Sequence, residues 1–68
     1  MDTAVKNALN EVAMQIQVQR RSVKDIAGEC AFYEQQTQDV QAKAIFKLLS
    51  KCKTRKQMQT VMLYRQVL

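Results

Sequence analysis

The sequence predicts an all-α fold, a small bundle of three to four helices, and three observations carry that prediction. Helix formers (Ala, Gln, Lys, Leu, Met and Glu) dominate, while a single Gly and no Pro leave little turn chemistry inside the chain. Apolar residues return at helical spacing along most of the length. Where that spacing falters, Ser or Thr is followed three residues later by Asp or Gln, the pattern that caps a new helix. The helices predicted on this basis run at about 3–20, 23–35, 38–52 and 55–66.

The first helix rests on Val5, Leu9, Val12 and Ile16. Their spacing alternates between four and three and continues through Gln19, Val23, Ile26, Cys30 and Tyr33 as a heptad seam. A chain of 68 residues buries only about 60% of its unfolded surface on its own. The seam residues Val5, Leu9, Val12 and Ile16 are therefore expected to form the interface of a homodimer. From Glu11 to Gln19 the chain also alternates apolar and polar, the period of a half-buried strand. Helix is preferred there, because no second alternating segment offers a partner strand within the chain.

The second helix begins after Arg20-Arg21-Ser22, with Asp25 completing the cap pattern of Ser22. A further break is expected around Gln35 to Gln38, with the next helix starting near Thr37 and Asp39 placing an acid at its N-terminus. Along this third helix Val40, Ala44, Ile45, Leu48, Leu49 and Cys52 are read as one apolar face, with Lys43, Lys47 and Lys51 recurring on another. Thr54 with Gln57 marks the last start, ahead of Met58, Val61, Met62, Tyr64 and Leu68. Met58 and Met62 are expected in the core, although methionine also suits adaptable docking surfaces.

Charge divides this single domain. The acids Asp2, Glu11, Asp25, Glu29, Glu34 and Asp39 all precede residue 40, against Lys6, Arg20, Arg21 and Lys24, so residues 1–39 carry −2. Lys43, Lys47, Lys51, Lys53, Arg55, Lys56 and Arg65 follow with no acid among them, so residues 40–68 carry +7. A mildly acidic half is joined to a strongly basic one. Unopposed cations focus positive potential, which suits nucleic-acid phosphates or an acidic protein partner.

The stretch 23–42 resembles a helix-turn-helix. In that motif's spacing Ile26, Ala27 and Cys30 pack the first helix, Ala31 takes the turn, Phe32 anchors it, and Val40 is buried on the recognition helix. Gln35 and Gln36 then face outward, and Gln matches adenine's paired donor and acceptor in the major groove. Ala31 stands where Gly is usual, and Gly28 falls inside the first helix. The alternating segment resembles a ribbon-helix-helix strand, with Gln15, Gln17 and Gln19 toward bases and Arg20 and Arg21 on phosphates. This ranks lower, because a helix before the strand and one after residue 54 do not belong to that arrangement.

Several classes are excluded. No His, Ser and acid group into a triad, and one Gly makes no phosphate-cradling loop, so the chain is not expected to be an enzyme. Without His, and with only Cys30 and Cys52, no structural metal site or cofactor is expected. The opening Met1-Asp2-Thr3 lacks a basic n-region and an apolar h-region, and no apolar run is long enough to span a bilayer, which predicts a reduced, cytoplasmic protein away from membranes. Cys30 and Cys52 are expected as small buried hydrophobes, with Lys51 and Lys53 favouring the Cys52 thiolate. The functional expectation is a small nucleic-acid-binding regulator, DNA before RNA. Its phosphate contacts are assigned to Arg20, Arg21, Lys43, Lys47, Lys51, Lys53, Arg55 and Lys56, and its base contacts to Gln35 and Gln36. The alternative is a helical adaptor or inhibitor that docks on an acidic partner protein.

Overall fold

A computed structural model describes residues 2–65, and over them the chain forms four helices and no strand: α1 (Thr3–Val18), α2 (Val23–Gln36), α3 (Val40–Ser50) and α4 (Arg55–Arg65). The predicted helix end at 66 and the apolar Leu68 lie outside the described residues. Each helix starts where a side chain can accept the backbone N–H groups that have no intrahelical partner. Asp2 Oδ1 accepts from the Val5 N–H at 2.9 Å, Ser22 Oγ from Asp25 at 3.1 Å and Asp39 Oδ1 from Ala42 at 2.9 Å. At α4 the predicted capping box is complete: Thr54 Oγ1 accepts from the Gln57 N–H at 3.1 Å, while Gln57 Oε1 accepts from Thr54 at 3.2 Å and from Lys53 at 2.7 Å.

Four boundaries differ from the sequence expectation, α2 running on to Gln36 rather than 35 and α3 ending at Ser50 rather than 52. α1 stops at Val18, with Gln19 in the left-handed region at φ 58° as its C-cap. α3 starts at Val40 because Asp39 caps it, while Thr37 and Gln38 form the connection and the Thr37 N–H donates to Tyr33 O at 3.0 Å.

α2 and α3 pack along their lengths as the central pair, α1 lies against α2 and α4, and α4 closes against α3. The shared core comprises Leu9, Val12 and Ile16 of α1, Ile26 and Cys30 of α2, Ala42, Ile45, Phe46 and Leu49 of α3, and Met58 and Met62 of α4. Tyr33 packs its ring on Phe46 at 5.2 Å between centroids. The radius of gyration, 10.6 Å, is close to the roughly 11 Å of a self-contained domain of this length.

That core corrects the dimer assignment. Leu9, Val12 and Ile16 are buried by the chain's own helices, and Val5 packs partly buried against them. The heptad seam is thus the inward stripe of a one-chain bundle, and it is covered before any second copy arrives. The strand alternative for 12–18 is also excluded: Val12 and Ile16 face in while Met14 and Val18 are exposed, as a helix requires.

Candidate interaction surface

The helix-turn-helix placement at 23–42 fails. α2 runs unbroken through Ala31 to Gln36, the supposed anchor Phe32 is 60% exposed, and Val40 is 82% exposed where the motif needs a buried residue. Ala is a strong helix former and 29–34 contains neither Gly nor Pro, so nothing turns the chain at Ala31. Gln35 and Gln36 consequently lie exposed on the last turn of α2, on a different helix from Lys43, Lys47 and Lys51.

Two of the arginines assigned to phosphates are engaged inside the fold. Arg55 Nη1 donates to Ile16 O at 2.7 Å and to Gln15 O at 3.4 Å, and its Nη2 donates to Arg21 O at 2.6 Å. These are final-turn carbonyls of α1 and a carbonyl of the following turn. α1 has no basic residue in its last turn, so α4 supplies the cation that its C-terminal dipole favours. Arg21 forms an ion pair with Glu29 and donates to Gln15 Oε1 at 2.9 Å and to Asp25 O at 3.4 Å. The hydrogen bond to Glu29 holds the Arg21 guanidinium above its ordinary pKa. Arg65 in turn donates to Asn10 Oδ1 at 2.9 Å.

The lysines behave differently. Lys43, Lys47, Lys51, Lys53 and Lys56 are all exposed, as is Arg20 in the α1–α2 turn. None of these lysines has an ion-pair partner among the described residues. Lys43, Lys47 and Lys51 recur every fourth residue and make one row along the outer side of α3. Val40, Ala44 and Leu48, also four apart, make a second row beside it, each placed three residues before a lysine. Val40 is 82% and Leu48 51% exposed.

This corrects the single apolar face read from the sequence for α3. Ala42, Ile45, Phe46 and Leu49 point into the core, whereas Val40, Ala44 and Leu48 point out. The signal was present in the numbering, since residues five apart, such as Val40 and Ile45, fall on different sides of a helix.

Both cysteine thiols are held above their ordinary range. Burial pushes Cys30 up to about 12. It raises Cys52 as well, despite the flanking lysines, and the Cys52 thiol donates to Leu48 O at 3.3 Å. Among the described residues no helix is long and apolar enough to cross a membrane. Comparison with protein-family models, with curated proteins and with solved structures returned no match.

Proposed function

We propose that the chain is a helical protein-interaction module whose outer α3 face docks an acidic amphipathic segment of a partner protein. The observation that carries this reading is the pair of rows on α3, with Val40, Ala44 and Leu48 beside Lys43, Lys47 and Lys51 and all six exposed. Phosphates gain from the lysine row alone. A protein partner gains from both, because it buries the apolar row while its carboxylates meet the ammonium groups. A lysine row also suits this role better than base reading, which leans on planar, bidentate groups.

The nucleic-acid reading, a small DNA-binding regulator, remains the second proposal. It is favoured by the absence of any acid from residue 40 onward. Fluorescence polarisation at about 150 mM salt, where non-specific nucleic-acid binding reaches 10⁻⁴ to 10⁻⁶ M, separates the two. The probes are random duplex, single strand, RNA, and a helical peptide with a leucine face bordered by glutamates. The expected outcome is binding of the peptide, weakened about tenfold or more by Leu48→Ser, as loss of one buried leucine contact implies. Lys47→Gln with Lys51→Gln should weaken it as well. The nucleic-acid reading takes over if duplex or RNA binds, the double lysine variant lowers its salt slope by about 2, and Leu48→Ser leaves it unchanged.

A further inference from the structure

Between α2 and the α3–α4 turn runs an open groove of about 540 Å³. Val23, Lys24, Ala27, Gly28 and Ala31 form its α2 side, and Ser50, Cys52 and Lys53 line the other. Among the described residues no carboxylate lines it. Gly28 sits in the middle of α2 with an ordinary negative φ, so the backbone does not require glycine there. A Cβ added at Gly28 would meet no atom within 4 Å, so the packing does not require it either. Glycine is the poorest helix former after proline, and here the chain leaves empty the space that a side chain would fill. The groove adjoins the end of α3, where Lys53 follows Lys51 of the outer lysine row.

We propose that this groove receives an acidic helical segment of a partner protein, its backbone passing close over Gly28 and its carboxylates held by Lys24 and Lys53. The inference rests on the reading of the α3 face as a protein docking surface and locates a second point of contact for the same partner. Charge selects the occupant, since two lysines with no opposing acid disfavour a basic or neutral segment. The open space above Gly28, where an added Cβ would meet no described atom within 4 Å, lets the segment approach the α2 backbone.

Gly28→Leu tests it, because the substitution fills the groove while replacing a poor helix former with a good one. The variant should therefore melt at or above the wild-type temperature. A displayed library of helical peptides is selected on the wild-type chain. The recovered peptides are then measured by polarisation against Gly28→Leu, the Lys24→Gln/Lys53→Gln pair, and Leu48→Ser. The groove is supported by acidic peptides that lose about tenfold or more in affinity, the weight of one well-packed contact, with each of the first two variants. Failure to recover any peptide that discriminates Gly28→Leu overturns it, as does recovery of peptides without net negative charge. If recovered peptides ignore Gly28→Leu but weaken with Leu48→Ser, the groove falls and the α3 face stands. If they respond to neither, both readings fall.

Discussion

The Arg55 guanidinium gathers three carbonyl oxygens from α1 and the turn behind it, which makes one side chain the lock between the two ends of the bundle. Hydrogen bonds from a charged donor each contribute roughly 1.5–3 kcal/mol, and a domain of this size has only about 3–10 kcal/mol in total. Arg55→Ala should lower stability by roughly 2–3 kcal/mol and the melting temperature by about 10–20 °C, while Arg55→Lys, lacking the planar fork, recovers part of that. Thermal and urea melts followed by circular dichroism check this, and a loss below about 0.5 kcal/mol, the ordinary surface value, would contradict the lock. Sequence alone could not separate Arg55 from Lys53 and Lys56. All three stand in one basic run, and the carbonyls that distinguish Arg55 lie 39 and 40 positions away. Lys43, Lys47 and Lys51 needed no such partner, and their helical spacing placed them on the surface correctly.

At the scale of the element, the starts of α2 and α4 were legible because caps are local, whereas α3 starts at Val40, beyond the position expected near Thr37. Ser22 with Asp25 and Thr54 with Gln57 carry their own instructions within four residues. Helix ends were less so. Gln19 takes the left-handed conformation at φ 58° with no glycine to announce it, so the apolar spacing carries the predicted helix two residues past the end of α1 at Val18. A non-glycine residue there costs about 1–2 kcal/mol, against the 0.5–1 kcal/mol that glycine loses in chain entropy. Gln19→Gly should therefore raise stability by about 0.5–1 kcal/mol, read as a shift in urea midpoint with an unchanged m value. A fall in midpoint would show that the Gln19 side chain contributes more than its backbone conformation costs. The helix-turn-helix failed for the same local reason: its turn position, Ala31, contains nothing that stops a helix.

For the whole molecule, the seam of Val5, Leu9, Val12 and Ile16 shows where sequence patterns run out. Spacing of four and three describes a coiled-coil stripe and the inner stripe of a bundle helix equally well, and only the supply of covering residues decides between them. Here Ile26 and Cys30 of α2 and Met58 and Met62 of α4 supply it, the last two from far along the chain. Ile16→Asp should consequently abolish the helical circular dichroism signal, because a charge placed at the centre of the core has no partner. Were the variant to stay helical and only sediment differently, Ile16 would belong to an interface between copies. The Arg55 lock also has a consequence in time. Its bonds join segments 34 to 40 residues apart, so the entropy of closing that long loop must be met before they form, whereas α2 and α3 meet through a three-residue connection. Closure of α1 onto α4 is then the late event in folding. In stopped-flow experiments Arg55→Ala should leave the refolding rate near wild type and place nearly all of its lost stability in faster unfolding, so that this one guanidinium sets how long the folded molecule lasts rather than how quickly it forms.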